Sequence, residues 1–415
     1  MNKDIRMKRL IPYCACMVFI CTGGTLSAQD AAAKLLRYQY AREDTSRILS
    51  TVEEDVFING NLHHHATIVN RISVKVTDTA RDGSGTIEAT FMTTEKGNNV
   101  ATDTPLQWGE QYESVFTRDS RGYYTISDDY FMPTVRDVPV FPDYAVRPGD
   151  TWTARGHEAH DLRQTFEIET PFKIPFDATY TYTGTEQGDD GRIFDIIEVT
   201  YSLYFESPAP TRARAAAPQA TNGYSRQTLF WDNEKGQLDH YAEEFRITIE
   251  TYAGDIFLFV GAAQAEVTQF IRAGTEKNVA DIQATVEELG LENISVTRTE
   301  QGLTISIENI AFQANSARLE NSEREKLNEI AKILAEYPND LLITGHTALS
   351  GTAAGRKQLS EQRAQAVATY LIEKGVRKND AIFIEGRGAE NPVASNDTQA
   401  GRAQNRRVEI TILDE

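Results

Sequence analysis

The sequence predicts a multidomain protein: a β-rich antiparallel front unit, built as a sandwich or a folded sheet, and a carboxy-terminal α/β unit with helices on a mixed sheet. Three observations carry this expectation. Period-two alternation of apolar and polar residues dominates the first part of the chain, as half-buried antiparallel strands require. Beyond about residue 300, strand patterns alternate with helical spacing, the mark of an α/β layer. Of 61 acidic and 42 basic residues, residues 301–415 hold only 16 and 14, so most of the net charge of −19 lies in front. Such asymmetry suggests separate units.

Lys3, Arg6, Lys8 and Arg9 precede an apolar stretch from Leu10 to Cys21 and small residues ending Leu26-Ser27-Ala28. That order is expected of a secretory signal peptide over residues 1–28. Cys14, Cys16 and Cys21 all lie within it, so cleavage after Ala28 removes disulfides, thiolate metal sites and cysteine catalysis together. Lipidation at Cys21 is the competing route and would tether the protein to a membrane. Ile20 is bulky where a lipoprotein cleavage site usually carries a small residue. The acidic composition argues against nucleic acid, and no apolar run past the N-terminus is long enough for a spanning helix.

Residues 29–262 read as one acidic β-rich domain. A helix is expected around Ala31–Tyr40. Strands follow from the alternation of Ile72, Val74 and Val76, then of Ile87, Ala89 and Phe91, then of Phe172 through Tyr182. Ile197 through Phe205 and Phe245 through Ile249 repeat it. Pro171 and Pro175 place the third stretch at an edge or bend. Asp82-Gly83, Pro148-Gly149 and Asp190-Gly191 mark turns. Residues 207–223 are low in complexity and read as a long exposed loop. Trp152, after a Pro-Gly turn, reads as a core anchor. His63-His64-His65 and His157-Glu158-Ala159-His160 lack the spacing that converges ligands on a metal. A membrane β-barrel or a lipid-binding domain are the alternative readings of this unit; its apolar runs are short and interrupted for a barrel.

Residues 263–300 form an expected small αβ connector. Val279, Ile282, Val286 and Leu289 fall at helical spacing before Gly290, and Ile294 and Val296 start a strand. Within 301–415, Leu303, Ile305 and Ile307 make a strand ending near Phe312. Ser322 and Glu325 form a capping box for a helix buried through Leu327, Ile330, Ala331 and Leu334. Leu341-Leu342-Ile343 is a short buried strand. A second helix runs from about Leu359 to Lys374, ended by Gly375. Ile382–Ile384 and Val408–Ile412 complete the set.

Ordered stretches in this last segment resemble the OmpA-like C-terminal domain family. They are Ile310 through Ala317, Gly345-His346-Thr347, Leu359 through Ala364, Gly386-Arg387-Gly388 through Pro392, Asn396, Gly401-Arg402, and Asn405 through Ile410. The resemblance spans residues 301–413, and the overall layout is similar to exported OmpA-domain proteins of spirochaetes. It implies a periplasmic module that holds the diamino acid of a peptidoglycan stem peptide. In the family, an aspartate after Gly-His-Thr receives the ammonium group and an arginine in Leu-Ser-x-x-Arg-Ala receives the carboxylate, each by a charge-assisted hydrogen bond. Here the arginine is Arg363, but Ala348 stands at the aspartate position. Gly351 keeps its place three residues on, while Arg356 replaces a family asparagine and Gln313 replaces an acidic residue. Asn315, Thr347 and Arg363 remain.

The resulting expectation is an exported, non-enzymatic envelope protein, periplasmic or on the periplasmic face of the outer membrane, without cofactor or metal. Its partner is a peptidoglycan stem peptide bound in a weakened or altered way. The alternative is a scaffold that binds other envelope proteins and no longer binds peptidoglycan. Arg402, Arg406 and Arg407 read chiefly as structural ion-pair residues. No Gly-x-Ser-x-Gly, phosphate-loop or dinucleotide motif occurs.

Overall fold

A computed structural model describes residues 32–97, 106–163, 167–207, 217–269, 273–299, 301–310 and 319–414. The expected signal peptide with its cysteines, most of the 207–223 loop, Phe312, Gln313 and Asn315 lie outside the described residues.

The alternating stretches form one twelve-stranded antiparallel sheet. Its strands are β1 (Thr45–Ile58), β2 (Asn61–Thr79), β3 (Gly85–Gly97), β5 (Glu110–Arg118), β6 (Tyr124–Ile126), β7 (Val135–Arg136), β8 (Thr151–His160), β9 (Phe172–Gln187), β10 (Ile193–Glu206), β11 (Pro218–Asp232), β12 (Gln237–Thr251) and β13 (Ile256–Gln269). The spatial order is β6-β5-β3-β2-β1-β13-β12-β11-β10-β9-β8-β7. The sheet folds over until its edges nearly meet. At that seam the Tyr124 amide of β6 donates to Asp137 Oδ1 just beyond β7 (2.7 Å), and the Arg136 guanidinium donates to the Tyr130 carbonyl (2.6 Å). The result is barrel-like, one folded sheet rather than a two-sheet sandwich.

Alternation dictates which face is which. Along β10, Val199, Tyr201 and Leu203 are buried while Glu198, Thr200 and Ser202 are exposed; on β9, Asp177 and Thr179 likewise point outward. Apolar inside and polar outside on these strands is the reverse of the lipid-facing belt of a membrane barrel. Pro175 pairs with His157 on β8, whereas β10 pairs only with the later part of β9, so the proline occupies a stretch with one free side.

Residues 32–40 are extended, not helical. Lys34 bridges Val146, the Tyr38 amide donates to the Ser120 carbonyl (2.8 Å) and the Gln39 amide to the Gly236 carbonyl (3.0 Å). Leu35 is 50 % exposed beside Leu36 at 1 %, a period of two that the alanines and leucines concealed. Tyr38 packs edge-on against Trp231 (4.8 Å) and near Phe141 (5.7 Å), so this segment lines the core of the folded sheet. Trp152 is buried there too, donating to the Val140 carbonyl (2.7 Å) and stacked on Tyr180. The expected loop 207–223 is shorter than its composition suggested: from Pro218 the chain already pairs with β10 and β12, and Gly223 is pressed against the Arg246 backbone.

The second sheet is mixed, in the order β14 (Ile294–Thr299), β15 (Gly302–Glu308), β18 (Arg407–Leu413), β16 (Leu341–Gly345), β17 (Ile382–Gly386) and β4 (Leu106–Gln107). β16, β17 and β4 run parallel and the remaining pairs antiparallel. Helices α1 (Glu276–Glu288), α2 (Asn321–Ala335) and α3 (Ala353–Glu373) pack on it through Ile282, Leu327, Ile330, Val367 and Leu371; α4 (Gln399–Asn405) precedes β18. In the stretch expected as a connector, β13 of the front sheet continues to Gln269, and α1 and β14 join this second core. Two helix starts differ from expectation. α2 is entered from Glu320 with no side-chain cap, so the Ser322 capping box does not form. α3 begins at Ala353, where the Thr352 hydroxyl accepts from the Gly355 amide (3.1 Å), a cap that outweighs the weak apolar pattern before Leu359.

The two sheets meet along β17. β4, which leaves the front sheet between β3 and β5, lies parallel to β17, and the Trp108 amide donates to the Ile384 carbonyl (2.8 Å). Trp108 stands edge-on to Phe383 (5.7 Å), and Val69, Met92, Leu342, Phe383 and Leu413 form a small shared core. Asp340 receives Arg47 of β1 (3.0 Å) and Arg71 of β2, whose guanidinium also covers the Phe383 ring (4.6 Å).

Candidate functional site

The site grows out of the carboxyl end of β16, where open parallel strands conventionally leave a ligand crevice. Every residue of β16 is buried. It ends at Gly345 because α3 crosses it closely: a Cβ there would sit 2.0 Å from the Ser360 carbonyl oxygen. The chain then turns through His346, Thr347 and Ala348 to Gly351, whose φ of +77° makes the turn into α3. Three backbone bonds fix this loop: the His346 amide to the Arg407 carbonyl (2.9 Å), the Thr347 amide to the Gly388 carbonyl (2.7 Å) and the Ser350 amide to the Ala348 carbonyl (2.9 Å). Ser360 on α3 completes the clasp, accepting from the Gly388 amide (2.9 Å) while donating to the Lys357 carbonyl (2.7 Å). Thr347 and Ser360 thus share Gly388, and Arg363 lies one helical turn beyond Ser360.

Thr347 and Ala348 are each 7 % exposed. Among the described residues the Thr347 hydroxyl is buried without a hydrogen-bond partner. Arg363 is half-buried on α3. Burial, reinforced by the Arg406 guanidinium, pushes Arg363 below its ordinary value. Arg406 itself donates to Asn309 Oδ1 (3.2 Å), at the end of β15. Arg356 turns to the loop backbone, donating to the Gly351 carbonyl (2.5 Å). Of the expected site residues, Thr347, Ala348, Arg356 and Arg363 therefore gather around this loop and α3, whereas Gln313 and Asn315 lie outside the described residues.

Beneath the loop is a charged cluster that sequence reasoning missed. Glu409 of β18 meets His346 Nε2 (3.2 Å) and accepts from Arg407 Nε (2.7 Å), and both partners are buried. Burial alone would raise the Glu409 carboxyl, but the His346 ring and the Arg407 guanidinium outweigh it and hold the group at about 2. The signal was present in His346 of Gly-His-Thr; Glu409 read only as the polar face of an alternating strand. A second network involves residues already in the matched motifs. Asn396 Oδ1 accepts from the Leu349 amide (3.0 Å) and from Asn405 Nδ2 (3.0 Å), while Asn405 Oδ1 accepts from the Val393 and Ala394 amides. Arg402 donates to the Asn396 and Asp397 carbonyls, and Arg407 to the Asn391 carbonyl. These two arginines brace the loop between β17 and α4 through its backbone carbonyls. Elsewhere, His65 sits between Asp55 and Glu53, and His160 beside Glu158. Among the described residues no group of three or more His, Cys, Asp or Glu side chains converges as a metal site.

A family model described as the OmpA family matches residues 311–406. The outer-membrane lipoprotein YfiB of Pseudomonas aeruginosa is 35 % identical over 133 residues, 30 % of this chain and 78 % of its own length. The chain belongs to the OmpA family. Two further relatives of its OmpA domain are the probable lipoprotein YiaD of Escherichia coli K12, 40 % identical over 121 residues, and the peptidoglycan-binding protein ArfA of Mycobacterium tuberculosis, 43 % identical over 104. These matches cover 29 % and 25 % of the chain, and 55 % and 32 % of the relatives. The chain therefore spans about half, or less, of these two curated relatives. The matched part is the OmpA domain, which includes β16, the Thr347–Ala348 loop and α3.

Proposed function

We propose that this chain is an exported envelope protein whose OmpA domain attaches to peptidoglycan with an altered grip on the stem peptide. It works as two units, a front sheet and a wall-facing OmpA domain, on the periplasmic side of the outer membrane. Its role is binding rather than catalysis. Arg363 holds the ligand carboxylate beside Thr347, and Asn315 is a further position of the family motif that the sequence keeps. The family aspartate that would hold the ammonium group is replaced by Ala348, with Gln313 and Arg356 as further departures. One observation carries the reading: at the aspartate position the loop holds a buried methyl group, next to a threonine hydroxyl with no partner among the described residues. The name of ArfA, a relative over this domain, supports peptidoglycan as the ligand class.

Losing one charge-assisted hydrogen bond costs about 1.5–3 kcal/mol, a factor of roughly 10 to 150 in affinity. Retention on purified cell-wall sacculi tests the reading. Wild type should bind weakly, Arg363→Ala should lose that binding, and Ala348→Asp should raise it by roughly tenfold or more. Retention that ignores Arg363→Ala, in a variant with native circular dichroism, refutes it. No retention for any form, Ala348→Asp included, favours a scaffold that contacts other envelope proteins.

A further inference from the structure

The front sheet encloses a cavity of about 300 Å³ between its inner face and residues 38–40. Ile48, Ile72, Val74, Ile87 and Phe116 supply apolar walls from four neighbouring strands, and Arg118, at the end of β5, supplies a cation. Its carbon Cζ stands 4.0 Å over the Tyr38 ring and about 5.5 Å from the rings of Tyr40 and Tyr124. Nε donates to the Tyr40 hydroxyl (2.7 Å) and Nη1 to the Tyr124 hydroxyl (3.2 Å). A guanidinium carries five donors; two are used on these hydroxyls, and Arg118 is among the residues lining the cavity. Among the described residues no carboxylate pairs with Arg118. Asp44, exposed at the rim, turns its carboxylate to the Ala41 amide instead.

A cation set among aromatic rings at the wall of a mainly apolar cavity, with no carboxylate paired to it among the described residues, matches a ligand that is anionic at one end and apolar along the rest. Planar guanidinium donors suit a carboxylate. The volume is at the low end of the roughly 300–1,000 Å³ range of small-ligand pockets, room for one aliphatic chain rather than a two-tailed lipid. We propose that this cavity binds a single-chain aliphatic acid, its carboxylate on Arg118 and its chain along the inner faces of β1, β2, β3 and β5. The Tyr40 and Tyr124 hydroxyls position the guanidinium; Tyr40 donates onward to the Asp119 carbonyl (3.5 Å), and Tyr124 is the one placed to donate to the ligand's second oxygen. This site is separate from the OmpA crevice and does not depend on how that crevice functions.

Calorimetry on the full chain, with decanoate and decan-1-ol as probes of equal length, decides the matter. Decanoate should bind at one saturable site at least tenfold more tightly than the alcohol, the minimum expected for one charge-assisted contact. Arg118→Gln should bring the acid down to the alcohol, and Arg118→Lys, which keeps the charge but not the fork, should retain part of the preference. Equal affinity for acid and alcohol in wild type, or no saturable binding of decanoate, overturns the proposal without needing a variant. So does an acid preference that survives in folded Arg118→Gln. Co-purification of a phosphodiester lipid without any fatty acid would also contradict it.

Discussion

The buried cluster under the Thr347–Ala348 loop makes a quantitative demand on stability. Glu409 is held at about 2 against an ordinary 4.5, and at about 1.4 kcal/mol per pH unit the difference amounts to about 3 kcal/mol. Because the folded value lies below the unfolded one, this stabilisation is fully present above pH 4.5 or so and is lost as pH falls through 2. Glu409→Gln leaves Arg407, 4 % exposed, and His346 without their carboxylate. The variant should therefore be about 3 kcal/mol less stable than wild type at pH 7 in urea unfolding followed by circular dichroism. By pH 3 the gap should shrink to less than half, since the unfolded wild-type chain is then protonated there. A gap of the same size at pH 7 and pH 3 would show that Glu409 acts by packing, not by charge, and would refute the reasoning.

Two further outcomes follow from the geometry. Gly345→Ala puts a methyl group 2.0 Å from the Ser360 carbonyl, so α3 must lift from β16; a loss of about 2–3 kcal/mol in urea is expected, typical of overpacking against rigid backbone. Asp340→Ala leaves the Arg47 and Arg71 guanidinium groups without the carboxylate they share at the junction of the two sheets. It should cost about 3 kcal/mol, with Trp108 fluorescence, a reporter packed on Phe383, changing at lower urea than in wild type.

Much of the architecture was legible because burial leaves a period. Val199, Tyr201 and Leu203 alternate with Glu198, Thr200 and Ser202 on one strand, and Leu327, Ile330, Ala331 and Leu334 recur at helical spacing. The failures are local contests that tertiary contacts win. Residues 32–40 carry helix-favouring alanines and leucines, yet the bonds to Ser120, Gly236 and Val146 pull them into extended form. At the α3 start, Thr352 capping decides where apolar spacing is silent. Within the crevice, the loop and Arg363 were readable from their motifs. The His346–Glu409–Arg407 contact joins residues more than sixty positions apart, and no local pattern announces such a pairing. The Arg118 cavity was invisible for a similar reason, since Tyr38 and Tyr40 come from a segment about eighty residues before Arg118 and Tyr124.

The two-residue strand β4 makes the OmpA domain less portable than its compact motif suggests. Cutting the chain before residue 273 would strip β17 of β4, leaving its far side, away from β16, a bare row of amide and carbonyl groups, an invitation to stick to another copy. Grafted onto a different partner, this module would need a new cover for that flank, or would stack into aggregates.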